Sequence, residues 1–200
     1  MTINRLYFST TSQSKAQHFQ DFFSKHGVQI LPVELSIPET QSIKPEEVVL
    51  EKLKVACTLT ALRPLLVDDV GLTIPSLMGF PGALLKPIME LGGLGLLREL
   101  TASKANNFSI EAEFVCALAV ALGTKARDNE SILTCSGSMK GTLDLRNDEF
   151  MHDRATKRCF YPEGYDKTIA DLELIDSALG FQHRFRALEE LKGLLVTEKP

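Results

Sequence analysis

The stretch RLYFSTTSQSKAQHFQDFFSKHGVQILPV, residues 5–33, decides the fold. Residues 5–9 read as a short strand, and the polar run Ser9-Thr10-Thr11-Ser12-Gln13-Ser14 behind it offers several hydroxyls as helix caps. Phe19, Phe22 and Phe23 then recur at helical spacing, Gly27 is a C-terminal stop, and Val28–Val33 returns as a strand. Strand, polar turn, helix and strand in succession make the unit from which α/β folds are assembled.

The same alternation continues outward. Pro45 suits the first turn of a second helix, whose inner stripe is Val49, Leu53, Ala56 and Thr60. A strand over Leu65–Val67 ends in Asp68-Asp69. Gly79-Phe80-Pro81-Gly82 is a loop, and Leu84 to Leu100 reads as two short helices around Gly92-Gly93. Strands over 108–122 and 131–145 are long enough to form a hairpin, with Gly137 and Gly141 marking a bulge or tight turn in the second. Residues 146–170 read as irregular, and Phe185, Leu188, Leu191 and Leu195 mark a final helix. Helices alternating with strands early and antiparallel strands late predict an α/β fold with a mixed sheet.

Composition narrows the function classes. A chain of 200 residues with 44% hydrophobic and 24% charged residues is an ordinary globular protein with one core as the default, and 13 Gly and 9 Pro are too few for a collagenous or disordered chain. The net charge of −4 shows no basic excess that would draw a nucleic-acid backbone, so no nucleic-acid partner is expected. The longest apolar run, Phe114–Leu122, is about half of the roughly 20 residues that span a bilayer, and the start MTINRLYFST has no signal pattern; no membrane partner and a cytoplasmic location are the expectation. Cys57, Cys116, Cys135 and Cys159 form no C-x-x-C pair and read as reduced, mostly buried thiols rather than zinc ligands.

Three places carry chemistry. At the first strand–turn–helix, free backbone N–H groups, hydroxyls and Lys15 could converge on a phosphate, or a hydroxyl simply caps the helix while Lys15 is a solvated charge. Glu39 and the adjacent Asp68-Asp69 suggest a cation, magnesium above all, or an exposed turn pair. Near the C-terminus, His183, Arg184 and Arg186 open a helix whose macrodipole opposes them, which points either to a function or to a surface face paired with Glu189 or Glu190. Phe150 and Asp153 precede them in the irregular stretch.

In this order the motifs resemble the inosine triphosphate pyrophosphatase family, housecleaning enzymes that hydrolyse deaminated purine nucleoside triphosphates to monophosphate and pyrophosphate. The family's T-x-N-x-x-K is Thr10-Thr11-Ser12-Gln13-Ser14-Lys15, its L-P-E is Ile37-Pro38-Glu39, and its acidic pair before a glycine-bearing loop is LVDDVGL with Asp69 in the essential position. Its G-G-x-P-G is Met78-Gly79-Phe80-Pro81-Gly82, one glycine lost. Its P-x-G-x-x-x-T is similar to Pro162–Thr168, and its S-H-R-x-R-A-L to Gln182-His183-Arg184-Phe185-Arg186-Ala187-Leu188. Two strings depart. F-G-[WY]-D-P has become Phe150-Met151-His152-Asp153-Arg154, with a following segment a few residues longer, and the E-K-N before S-H-R is not recognisable in 174–179, which removes a lysine.

The resemblance implies an elongated α/β fold with a long mixed sheet over 1–200, nucleotide bound in a cleft between two lobes, a magnesium requirement with manganese as the alternative, and a homodimer. It implies that Thr10, Ser12, Lys15 and Lys86 hold substrate, with Lys15 and Asp69 catalytic, Glu39 and Asp69 on the metal, Phe150 stacked on the base, and Asp153, His183 and Arg184 reading its edge. A 6-keto purine presents an acceptor at O6 and a donor at N1, and adenine the reverse, so such a site can reject adenine by roughly 10⁴-fold. The rivals are a Maf-type pyrophosphatase, whose S-x-R-R string is missing from the sequence, a pyrophosphatase retuned to another nucleotide, and a diverged nucleotide-binding protein with little turnover.

Overall fold

The computed structural model describes residues 3–38, 40–104, 106–123, 132–146, 155–175 and 182–197. The opening unit forms as its sequence dictates: β1 (Arg5–Ser9), α1 (Gln13–Ser24) and β2 (Gln29–Val33), with Phe19, Phe22 and Phe23 buried and Gly27 taking a left-handed φ of 72° after the helix. α2 (Pro45–Leu59) starts on its proline and buries Val49, Leu53 and Ala56, while Thr60 is the extended residue that ends it. Then come β3 (Leu65–Thr73), a 3₁₀ turn (Pro75–Leu77), β4 (Pro81–Gly82) and α3 (Leu85–Thr101), the last broken into two helical pieces at Gly93. The long hairpin strands β5 (Ser109–Ala121) and β6 (Ile132–Asp144) are followed by α4 (Ala155–Cys159), β7 (Phe160–Pro162), α5 (Ile169–Ile175) and α6 (His183–Thr197).

These strands make one open mixed sheet in the order β2-β1-β3-β5-β6-β7, with β4 on the far end of β3. β1 pairs in parallel with β2 and β3, and every pairing from β3 through β5 and β6 to β7 is antiparallel. The sheet is covered on both faces at one end. Phe8, Phe19, Leu66, Leu118 and Leu188 form the core under α1 and α6, whereas Leu53, Leu65, Val67 and Ala119 form the core under α2. At the other end Leu72, Leu97, Phe114, Leu143 and Phe160 pack with α3, α4 and Ile169 of α5 in a third cluster. The fold is therefore the expected α/β arrangement, and the boundary between the first and third clusters is where a cleft opens.

Four local expectations need correction. β3 does not end at Asp68-Asp69 but pairs with β5 over all nine of its residues, so both acids lie inside the sheet. Gly71 belongs to that strand rather than to a loop, because a Cβ there would stand 2.6 Å from the Gly82 carbonyl carbon and expel β4. Gly137 and Gly141 make no bulge: the β5–β6 register passes through both without interruption, and their missing side chains admit α6 and β7 instead. Residues 155–162 are a short helix and strand rather than irregular chain. All four cysteines are free thiols, with Cys116, Cys135 and Cys159 buried; burial pushes the Cys116 and Cys135 pKa values up to about 12, which keeps them protonated. Among the described residues no helix is long and apolar enough to cross a membrane.

Candidate active site

The site is built on the alternation of β3. Successive side chains of a strand point to opposite faces, so Asp68 shares the α1/α6 face with Leu66 while Asp69 shares the α2 face with Val67. Two adjacent carboxylates that would repel on one surface are thereby separated, and each face supplies a lysine. Lys15 Nζ donates to Asp68 Oδ1 at 3.2 Å and lies 2.9 Å from Oδ2. Lys52, from α2, donates to the Asp68 carbonyl at 3.1 Å and stands 3.7 Å from Asp69 Oδ1. The pair is thus not an exposed turn.

Asp68 is 2% exposed. Burial pushes its pKa up, but the charges of Lys15, Arg184 and Lys52 and the Lys15 hydrogen bond outweigh burial and hold it below the ordinary carboxylate value. Above it, Ser12 caps α1: its Oγ accepts the Lys15 backbone N–H at 3.3 Å, and its own N–H donates to Thr10 Oγ1 at 3.1 Å. The capping role of the hydroxyls holds, but Lys15 is not a solvated surface charge.

On this face a cleft of about 820 Å³ opens between the two ends of the sheet, lined by Lys15 and His18 of α1, Lys157 and Arg158 of α4, Glu173 of α5 and Arg184 of α6. That volume lies within the roughly 300–1,000 Å³ of ligand sites. Burial, reinforced by the Arg184 and Lys157 charges, lowers the His18 pKa. Glu173 Oε1 accepts from Lys157 Nζ at 2.7 Å and from Gln182 Nε2 at 3.1 Å, tying α4, α5 and the start of α6 together. Beneath the cleft His183 is 6% exposed and stacks on Phe114, with ring centroids 5.2 Å apart and planes 20° apart. Burial first, then Arg184, Lys157, His18 and Lys15, drives its pKa well below the usual value, so the imidazole is neutral at pH 7.

Of the expected site residues, Ser12, Lys15 and Arg184 line the cleft together. Thr10 sits under the helix cap, His183 lies below the cleft wall, Asp69 faces α2, and Lys86 is exposed on the first turn of α3 away from the cleft lining. Glu39, Phe150 and Asp153 fall outside the described residues, as does the altered Met151-His152 step. Among the described residues no group of three His, Cys, Asp or Glu side chains is set to hold a metal. Sequence reading passed over Lys52, His18, Lys157 and Glu173. A signal existed for the first two: Lys52 falls at the i+3 position of the Val49, Leu53, Ala56 stripe, and His18 stands three residues from Lys15 beside Phe19 and Phe22, polar groups on faces that are otherwise apolar.

The chain has relatives. A model of the Ham1 family matches residues 6–194. The chain belongs to the Ham1 family. It is 30% identical to the dITP/XTP pyrophosphatase of Ignicoccus hospitalis over 203 aligned positions, covering 99% of this chain and 100% of the relative. The inosine triphosphate pyrophosphatase of Yarrowia lipolytica is 29% identical, with 94% of each chain covered. Among solved structures, a HAM1 protein from Coxiella burnetii superposes with a TM-score of 0.77 at 24% identity, covering 98% of this chain and 100% of that one, which carries the Ham1 fold across to it.

Proposed function

We propose that this Ham1 protein hydrolyses deoxyinosine, inosine or xanthosine triphosphate to the monophosphate and pyrophosphate in a metal-dependent reaction. The observation that carries this reading is the convergence of four cations, Lys15, Lys157, Arg158 and Arg184, against two carboxylates, Asp171 and Glu173, on one cleft at the start of α1, in a chain whose net charge is −4. Positive charge concentrated against the overall sign is the arrangement that draws a polyanion into a cleft. The names of its relatives, dITP/XTP and inosine triphosphate pyrophosphatases, support the same substrate class.

In this reading Lys15, with Thr10, Ser12 and the N-terminal N–H groups of α1, holds the triphosphate, and Lys52 serves the phosphates from the α2 side. The β1–β3 register ends at Leu66, so a triphosphate at the start of α1 would reach Asp69 past that edge of β3. Asp69 orients a water and takes its proton as the water oxygen attacks the α-phosphorus; the bond from that phosphorus to the bridging oxygen breaks, and pyrophosphate leaves. Glu39 and Asp69 would hold magnesium, with manganese as the alternative. The donor type fits: Asp69 is a half-buried carboxylate, and magnesium needs one or two carboxylates because water and phosphate oxygens complete its shell; Lys52, now 3.7 Å from Asp69, would turn to the phosphates. When bound, the ion offsets charge on the phosphoryl oxygens. Arg184 donates toward a purine O6, and a homodimer is the proposed assembly, checked by sedimentation.

Pyrophosphate release measured over natural and deaminated nucleotides tests the function. ITP, XTP or their deoxy forms should be favoured over ATP, with product formation abolished by EDTA and restored by Mg²⁺. Orthophosphate as the first product, or turnover indifferent to EDTA, overturns the mechanism.

A further inference from the structure

α4 brings Lys157 and Arg158 to the cleft that Lys15 also lines, and there Lys157 meets Glu173 of α5. We propose that the Lys157–Glu173 ion pair reads the base edge beside Arg184, Lys157 sharing O6 with it and Glu173 taking N1–H, and so selects purines with a keto group at C6. The proposal rests on the nucleoside triphosphate reading above.

The argument is one of donor and acceptor order. Lys157 Nζ can only donate, and an ionised Glu173 can only accept. Their 2.7 Å separation presents the two functions side by side, and both side chains line the cleft while remaining partly exposed, at 36% and 29%. A 6-keto purine offers the complement, an acceptor at O6 beside a donor at N1–H. Adenine offers a donor at N6 beside an acceptor at N1, so the lysine would face an amino group and the carboxylate a lone pair. Gln182 Nε2, from a residue 3% exposed, also donates to Glu173 Oε1 and fixes the carboxylate against rotation. Asp171, the other carboxylate lining this wall, accepts from the Thr168 hydroxyl at 2.7 Å and leads the first turn of α5.

The pair makes a second, sharper demand. Inosine and guanosine share O6 and N1–H, so the reader does not distinguish them. In Lys157→Met and Glu173→Gln, kcat/KM for ITP relative to ATP should fall at least about tenfold, because each leaves one hydrogen-bonding position of the base edge unmatched, while the ratio of ITP to GTP stays within about twofold. A purely structural role for the ion pair would move all three substrates together.

Binding of IMP and AMP to the full-length chain, followed by protein NMR, gives a readout that needs no turnover. The wild type should prefer IMP, and both variants should lose the preference while keeping their dispersed spectra. An intact preference in both variants, or none in the wild type, overturns the reader. Absence of pyrophosphate release from every nucleotide in the wild type instead overturns the function and leaves the IMP preference to judge the pair.

Discussion

Lys15 is where the residue scale joins stability to activity. A lysine truncated at a solvated surface would cost little, but this one answers a carboxylate that is 2% exposed. Removing one partner of a buried pair leaves an uncompensated charge, so Lys15→Ala should lower the unfolding free energy by about 2 kcal/mol or more, the half-exposed lysine keeping it below the roughly 3–5 kcal/mol of a fully buried pair. Adding Asp68→Asn should restore most of that stability while pyrophosphate release stays at least ~10²-fold down, the scale of a lost charge-stabilising group. Denaturant melts and turnover of the two variants check this, and recovered turnover in the double variant would return Lys15 to a structural role. Asp69→Asn, on the other face, should lose turnover by a similar factor with little change in its melt. The sequence made Lys15 and the two acids visible as candidates. It could not show which acid meets the lysine, because that depends on whether β3 continues past them. Met78 is a second residue whose sequence oddity has a structural counterpart. It takes a left-handed φ of 55° and is 92% exposed. A left-handed conformation costs a side-chain-bearing residue about 1–2 kcal/mol, partly offset by the freedom that glycine adds to the unfolded chain. Met78→Gly should therefore raise stability by about 0.5–1 kcal/mol in a thermal melt.

At the scale of elements, legibility followed length and period. The hairpin strands β5 and β6 were expected at 108–122 and 131–145 and lie at Ser109–Ala121 and Ile132–Asp144, since long β-rich runs repeat their signal many times. α4 spans five residues and β7 three, too short to establish any period, and so the elements that deliver Lys157 and seat Gly141 were read as irregular chain. The glycines of β6 were legible as glycines but ambiguous in purpose, because a bulge and a close helix crossing both call for the missing Cβ. The crossing can be tested by itself. An added Cβ at Gly137 would meet the Ala187 nitrogen and the His183 carbonyl oxygen, each at 2.3 Å, and neither backbone group can yield without moving α6. Gly137→Ala should cost about 3 kcal/mol, at the upper end of core overpacking, and should displace Arg184 enough to weaken nucleotide binding. Gly193→Ala on the same helix meets nothing within 4 Å and should raise stability by about 0.5–1 kcal/mol through helix propensity while leaving nucleotide binding unchanged.

For the whole molecule, the cleft sets how stability responds to acid. Burial first, and then the charges of Arg184 and Lys157, make His18 and His183 resist protonation although the chain as a whole, with a net charge of −4, would attract protons. The native pKa of His183 lies well below 6.5 and that of His18 is also lowered, burial being the larger cause for each. At pH 7.5 both are neutral folded or unfolded and add no pH dependence. Below about 6.5 the unfolded chain takes up protons that the native state refuses, and stability falls as pH falls until the native pKa is reached. Each histidine can contribute a slope of up to about 1.4 kcal/mol per pH unit in that window. Asp68 behaves differently, because its lowered pKa keeps its contribution intact until the pH drops below the ordinary carboxylate value of 3.8. Urea unfolding at pH 7.5, 6.5 and 5.5 should therefore show a loss confined to the lower interval. His183→Phe, which keeps a ring against Phe114 but cannot titrate, should flatten that slope whatever its own stability at pH 7.5. An unchanged slope in this variant would mean that His183 is protonated in the native cleft, and that the neutral imidazole described beneath Arg184 is wrong.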